Sequence, residues 1–277
     1  MSNGFEIPLH PFLERKVPIC STLRVSIVIP TKNASQYIGT TIESILAQRN
    51  ARFEVIFIDA ESQDSTVEII RSYNDARFRI QSVPSGKIYE MMNRGIAMAQ
   101  GDYVLILMPG DNFLYPDAMA LAIWQIAQND FPDLFYSACF LREDWHEPHF
   151  LFRPLKKELL RKGQQPTHLH SSWIKRQVFK EVGFFNTDLE RRGALDFFIR
   201  FSRHPHLVAS SEMRIYVDPE PVLVTRSYLF KNFKETFHLI SKYYGPLWAF
   251  IWLWKQKETK RMVQLFVKRL KQSFSKS

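Results

Sequence analysis

Tyr103-Val104-Leu105-Ile106-Leu107-Met108-Pro109-Gly110-Asp111-Asn112-Phe113 decides the reading of this chain: an unbroken apolar run, a tight Pro-Gly step, then a lone carboxylate. A strand apolar on both faces belongs in a parallel sheet covered by helices on each side. Ligands of such sheets bind at the carboxyl ends of the strands, so Asp111, delivered at a strand exit, is expected at a metal or substrate site. The competing reading is a turn Asp capping the helix that starts near Pro116.

The same geometry recurs upstream. Leu23-Arg24-Val25-Ser26-Ile27-Val28-Ile29 reads as a strand emptying into Pro30-Thr31-Lys32-Asn33, followed by a helical stripe of Ile38, Ile42, Ile45 and Leu46. Phe53-Glu54-Val55-Ile56-Phe57-Ile58 is a second strand ending at Asp59, and Ser65 with Glu68 three residues later has the spacing of a capping box. A third, weaker strand covers Phe78 to Ser82. Ile88, Met91, Met92, Gly95, Ile96 and Ala99 then share one helical face, which Gly101 is expected to stop. Strand alternating with helix over residues 23 to 130 predicts a doubly wound α/β domain with its site at the strand ends.

Several blocks resemble the family-two nucleotide-sugar glycosyltransferases, which have the GT-A fold. They are Pro30-Thr31-Lys32-Asn33, Ser44-Ile45-Leu46-Ala47-Gln48, Ile58-Asp59-Ala60-Glu61-Ser62-Gln63-Asp64-Ser65-Thr66, Gly86-Lys87-Ile88-Tyr89-Glu90-Met91-Met92-Asn93-Arg94-Gly95, Gly101-Asp102-Tyr103 and Asp111-Asn112. Their order and spacing match over about a hundred residues. The resemblance implies a GT-A-type, Rossmann-like, mainly parallel sheet flanked by helices. It also implies sugar transfer with inversion from a uridine or guanosine diphospho-sugar. It places the nucleotide against Pro30, Thr31 and Asn33, with Asp59 facing the base or ribose, Lys87 on the diphosphate, and Mg²⁺ or Mn²⁺ on Asp111. For Asp59 the alternative is an acid satisfying loop amides, and for Lys87 a solvated loop lysine.

Two departures from that family stand out. Met108, Pro109 and Gly110 occupy positions where one or two further carboxylates are common, so a single protein carboxylate would hold the cation with phosphates and water. Counting back from Arg200 in Gly193-Ala194-Leu195-Asp196-Phe197-Phe198-Ile199-Arg200, the position of the catalytic Asp is Ala194. Three readings follow. Asp196 is the base, placed first because a carboxylate beside Phe197 and Phe198 would be partly desolvated and more basic; Asp188 or Glu190 replaces it; or the chain binds a sugar nucleotide as a non-catalytic subunit. A pyrophosphorylase is disfavoured, because no glycine-rich loop with a basic residue follows the first strand.

His168 and His170 alternate, so an extended segment would turn both to one face. Without a third ligand at a recognisable spacing, an acceptor or phosphate contact, or packing under Trp173, is favoured over zinc; His170 and Trp173 are the acceptor candidates. His146, Glu147 and His149 around Pro148 read as a hairpin tip.

With 277 residues, 45% hydrophobic and 14% aromatic, the chain has ample material for one large domain and an appendage. Two distant cysteines, Cys20 and Cys139, suggest reduced thiols in the cytoplasm. Neither a secretory signal nor a run of about eighteen apolar residues is present. Residues 1 to 22 read as an arm, 23 to 225 as the GT-A domain (nucleotide half to 130, acceptor half beyond), and 226 to 277 as basic aromatic helices. That last segment holds 12 Lys and Arg against 2 Glu, or +10, while the whole chain is +9, so all the excess positive charge lies there. Lysines interleaved with aromatics suit an anionic membrane surface, with packing on the domain as the alternative. Nucleic acid is disfavoured, because the front of the chain is not basic and no nucleic-acid motif is found. The expected function is therefore sugar transfer to a lipid-linked or surface-glycan acceptor at the inner face of the membrane.

Overall fold

The computed structural model describes residues 23–84, 86–141, 149–221 and 225–256. Expected strands and helices alternate through β1 (Arg24–Thr31), α1 (Ile38–Leu46), β2 (Arg52–Asp59), α2 (Thr66–Ser72), β3 (Phe78–Ser82), α3 (Ile88–Met98) and β4 (Tyr103–Ile106). They continue with β5 (Asn112–Phe113), α4 (Ala118–Gln128), β6 (Leu134–Leu141), β7 (His149–Leu151), α5 (Lys157–Leu160), β8 (Ser172–Lys175), α6 (Val178–Glu181) and α7 (Gly193–Phe201). β9 (Ala209–Ile215), β10 (Val217–Asp218), α8 (Arg226–Tyr244) and α9 (Pro246–Lys255) complete the described chain. The arm, the hairpin-tip residues 142–148, Cys20 and the chain beyond residue 256 lie outside the described residues.

The main sheet runs β3-β2-β1-β4-β8-β6-β7, with β9 added in parallel against β6. β3, β2, β1 and β4 are parallel, whereas β8 is antiparallel to both β4 and β6. Both faces are covered, which explains the near-continuous apolar strands. On β1, Val25, Ile27 and Ile29 enter the core with α1 and α4, while Val28 enters the core with α3 and α7.

One buried acid interrupts this pattern. Glu54 on β2 accepts hydrogen bonds from Ser26 Oγ at 2.7 Å and from the Gln100 and Gly101 amides at 2.8 and 3.2 Å. Burial pushes its pKa up, but the Ser26 hydroxyl, the Gln100 amide and Arg24 outweigh that and leave the carboxyl below its ordinary value. Gly101 follows from the same contact: a Cβ there would lie 2.6 Å from the Arg24 carbonyl. It allows close approach to β1 and does not supply a helix C-cap, since α3 has already ended at Met98 with Ala99 extended. The expected Ser65–Glu68 capping box does not form either. Ser65 makes no side-chain cap bond, and the carboxylate beside it, Asp64, accepts the Thr66 amide at the first position of α2.

The helix-on-sheet distance is set at Gly95. A Cβ at that position would meet Val28 Cγ1 at 2.3 Å, whereas one at Gly39 on α1 would meet only Tyr73 Oη at 3.6 Å. Gly95→Ala is therefore expected to lose ~1–3 kcal/mol through overpacking. Gly39→Ala should gain ~0.5–1 kcal/mol from helix propensity and reduced unfolded-state entropy. Urea unfolding of both variants tests the contrast, and equal signs would refute the packing account.

Candidate functional site

A cavity of about 640 Å³ opens where β4 ends, between the start of α3, the turn carrying His168 and His170, the loop before α7, and α8. Asp111 lies on its wall at 2% exposure. Its Oδ2 accepts the Met108 amide at 2.7 Å and its Oδ1 accepts the Glu220 amide at 3.0 Å. Burial, opposed by these two bonds and aided by the nearby charge of Asp218, pushes the carboxyl up to about 7. Asp111 is therefore a wall residue of the cavity. It does not cap α4, whose N-cap position is Asp117.

The loop before α7 is clamped from two sides. Tyr89 Oη on α3 accepts the Gly193 amide at 3.0 Å and donates to the Arg191 carbonyl at 3.1 Å. A Cβ at Gly193 would lie 2.5 Å from the Tyr89 ring, so a glycine is needed there. From α8, the Glu235 carboxylate accepts the amides of Glu190, Arg191 and Arg192 at 2.9, 3.0 and 2.8 Å. It satisfies three successive amides of the loop that leads into α7, the last of them on the residue that precedes the helix. Arg192 completes the clamp by donating to Thr236 Oγ1 and the Gly163 carbonyl. Sequence reasoning missed Glu235, because no local spacing joins it to residues more than forty positions away.

The expected base candidates separate. Ala194 and Glu190 border the cavity. Asp196 does not: it is 1% exposed, with Arg200 Nε donating to Oδ2 at 2.8 Å and Tyr243 Oη donating to Oδ1 at 2.7 Å. Two residues along a helix turn a side chain to another face, so Asp196 points into the packing between α7 and α8 while Ala194 faces the cavity. Asp188 is exposed and absent from the cavity wall. Glu190 is paired with Lys231, whose hydrogen bond and charge, with those of Arg191 and Lys87, hold its carboxyl below the ordinary range.

The two acceptor candidates also part. His170 borders the cavity, but Trp173 is fully buried on β8, edge-on to Tyr216. The histidines are not on an extended strand; Leu169–Ser171 is a 3-10 turn that stacks the His168 and His170 rings at 5.4 Å. Burial pushes His168 down to about 3, with His170, Arg192 and Arg153 adding to the shift, and burial alone pushes His170 to about 4. The 3.9 Å approach of His170 Nδ1 to Asp111 is thus no ion pair near neutrality, since the imidazole is uncharged.

Thr31, Asn33 and Asp59 come together beside the cavity without lining it. Asp59, 1% exposed, accepts Thr31 Oγ1 at 3.1 Å, the Ser62 amide at 2.9 Å and Ser62 Oγ at 2.6 Å. Asn33, at φ 48°, accepts the Gln63 amide through Oδ1 at 2.8 Å. The Asp59 carboxylate thus fastens the 59–62 loop to the end of β1. Pro30 is buried beside it, and Lys87 is exposed at the start of α3.

The wall can accommodate a hard divalent cation. Asp111 and Glu220 offer carboxylate oxygens there, and His170 Nε2 is buried with no hydrogen-bond partner among the described residues. Elsewhere, Glu181, His204 and His206 bring three ligand-type atoms within 4.8 Å at the surface, where His206 Nε2 and Glu181 Oε2 already lie 2.7 Å apart.

The mainly parallel sheet flanked by helices, with a cavity at its strand ends, is a GT-A-type arrangement. The sequence profile of glycosyl transferase family 2 matches residues 26–183, and this chain belongs to that family. It is 27% identical over 190 residues to a PGL/p-HBAD biosynthesis glycosyltransferase of Mycobacterium bovis, covering 66% of this chain and 71% of the relative. Over 119 residues it is 34% identical to the hyaluronan synthase of Pasteurella multocida, covering 42% of this chain and 12% of that one. Among solved structures, S. aureus TarS 1–349 in complex with UDP superposes with a TM-score of 0.60 at 18% identity, over 85% of this chain and 67% of that one. The chain covers 40% of the longer TarS structure. The mannosyltransferase PcManGT from Pyrobaculum calidifontis, in complex with GDP-Man and Mn²⁺, gives 0.56 at 17% identity, over 90% and 81%.

The neutral histidines have a measurable consequence. A folded pKa below the unfolded value means that the unfolded state binds the proton more readily, so stability is full above about 6.5 and falls as pH drops toward the folded value. His168→Gln removes that penalty. Relative to the variant, the wild type should lose on the order of 2 kcal/mol between pH 7 and 4.5, as measured by urea unfolding at each pH. A pH-independent difference would refute the assignment.

Proposed function

We propose that this chain transfers a sugar from a uridine or guanosine diphospho-sugar to a glycan or lipid-linked acceptor with inversion, and that Glu190 is the base. The observation that carries the reading is the placement of Asp111 and Glu190 on one cavity at the strand ends of a family-two fold. UDP in the TarS complex and GDP-Man with Mn²⁺ in the mannosyltransferase complex support the donor class. Thr31, Asn33 and Asp59 are the proposed nucleoside contacts. Their loops are pre-organised by mutual hydrogen bonds, so little ordering is required on binding. Lys87 is assigned to the diphosphate and His170 to the acceptor.

Mg²⁺ or Mn²⁺ held at Asp111 would neutralise charge on the departing diphosphate. Glu190, kept ionised by Lys231, is in the form that accepts a proton from an acceptor hydroxyl. Asp196 is assigned a structural role, because both of its oxygens are occupied away from the cavity. Ala194 on the wall favours a second reading, a sugar-nucleotide-binding subunit without turnover. Donor assays separate the two: release of nucleoside diphosphate supports the transferase, and binding without release supports the subunit.

For the transferase, Asp111→Asn should abolish the metal-supported part of nucleoside diphosphate affinity. Glu190→Gln should lower turnover by about a hundredfold or more with donor affinity nearly unchanged. Asp196→Asn should mainly lower the melting temperature. Full turnover in Glu190→Gln would remove it as the base.

The surface of α8 and α9 supports a peripheral membrane location. No helix among the described residues is long and apolar enough to cross a membrane. These helices nevertheless do two things at once. Thr236 and Leu239 are buried against the domain, and Ile240 and Ala249 are buried too, while Leu247, Phe250 and Trp254, spaced three and four apart on one stripe, stay 60–70% exposed. Exposed aromatic residues beside a segment of net +10 suit an anionic headgroup layer. Replacing Leu247, Phe250 and Trp254 with Ser should sharply reduce cosedimentation with anionic vesicles while leaving the fold intact. Unchanged sedimentation would sink the membrane reading.

A further inference from the structure

The carboxylate absent from the Pro109-Gly110-Asp111 step has a spatial counterpart just after another strand. β10 pairs antiparallel with β5 in the register Asp218↔Asn112 and Val217↔Phe113. Gly110 lies two residues before β5 and Glu220 two residues after β10, so the pair brings the two together where it ends. The side-chain positions agree. A Cβ built on Gly110 would lie 2.7 Å from Glu220 Cβ and 2.7 Å from Glu220 Oε2, so the glutamate's carboxylate lies where a side chain at 110 would begin. Gly110 is held at φ 101°, a conformation that disfavours a side chain, and its amide donates to Thr41 Oγ1 at 2.7 Å. The Glu220 amide in turn donates to Asp111 Oδ1 at 3.0 Å, which fixes the two acidic residues relative to each other. Both border the cavity, as does His170, whose buried Nε2 has no hydrogen-bond partner among the described residues.

We propose that Glu220 is the second protein carboxylate of the cation cradle at Asp111, supplied across the β5–β10 pair in place of a side chain at position 110. This rests on the reading of the cavity as a metal-assisted nucleotide-sugar site. Mg²⁺ and Mn²⁺ take one or two protein carboxylates and complete their shell with phosphate oxygens and water, so Asp111 with Glu220 falls within that range and adds a second charge to the one Asp111 supplies alone. The cradle also explains the glycine. Any side chain at 110 would displace Glu220, which makes Gly110 and Glu220 a coupled pair and not two independent positions.

The test uses the full chain and reads metal binding without turnover. Free Mn²⁺ is followed by electron paramagnetic resonance in titrations with uridine or guanosine diphosphate, and nucleotide affinity is measured separately in chelator. Glu220→Gln keeps shape and hydrogen-bonding capacity but removes charge. The expected result is Mn²⁺ binding at least tenfold weaker, with the melting temperature and metal-free nucleotide affinity unchanged. Wild-type Mn²⁺ affinity in Glu220→Gln would overturn the proposal and leave the transferase reading standing. Wild-type protein that binds the nucleotide but no Mn²⁺ would overturn the cradle, and failure to bind either nucleotide would overturn the functional reading beneath it. If Glu220→Gln does not fold, Glu220→Asp, which draws the charge back by one methylene, decides on the same scale: unchanged affinity refutes the role and weakened affinity supports it.

Discussion

In-register parallel pairing of β1 with β2, and of β2 with β3, is the constraint on which the rest depends. Thr31 is opposite Asp59, and Asp59 is opposite Ser82, so consecutive strands end at one level. Parallel strands must be joined by crossovers, and the α1, α2 and α3 connections cover both faces while the strand ends remain at a common edge. The polar residues after each strand therefore meet there whatever their separation along the chain. Thr31, Asn33, Asp59 and Ser62 form one hydrogen-bonded junction for this reason.

The cavity depends on the change in strand direction beyond β4. β8 runs antiparallel to β4, which brings the turn bearing His168 and His170 back to the edge where Asp111 emerges. α7 then starts on the cavity and runs away from it. Its start is held by Tyr89 from α3 and the segment before it by Glu235 from α8, so Glu190–Arg192 is positioned by two helices far apart in the chain. α8 is accordingly a wall of the cavity, through Tyr228 and Asn232, as well as a carrier of exposed aromatic surface. A helix that both borders the cavity and presents Leu229 and Phe230 to solvent places exposed apolar surface next to the cavity.

Much of the chain up to residue 130 was legible because its signals are local. The apolar runs of β1, β2 and β4 and the helical stripe of α3 were read from their periods, and Asp59 and Asp111 from their places at strand exits. Local rules failed where a distant group altered the outcome. Close approach of β1 rather than helix termination demanded Gly101, and a 3-10 turn replaced the extended segment expected at His168 and His170. Trp173, expected at the acceptor, belongs to the core because β8 is an interior strand covered on both sides.

The amino-acid sequence by itself determined the α/β class, the alternation of strands and helices along residues 23 to 130, the carboxylates at two strand exits and the basic aromatic character of the final segment. Those properties depend on spacing and composition over a few residues. Tertiary structure decided which carboxylates share the cavity. Ala194 faces it while Asp196, one-fifth of a helix's length further on, is turned to Arg200 and Tyr243, and Glu220 reaches Gly110 only through a pairing that spans 110 positions. Side-chain direction around a helix and register between distant strands are set by packing of the whole domain, which no local window of sequence contains.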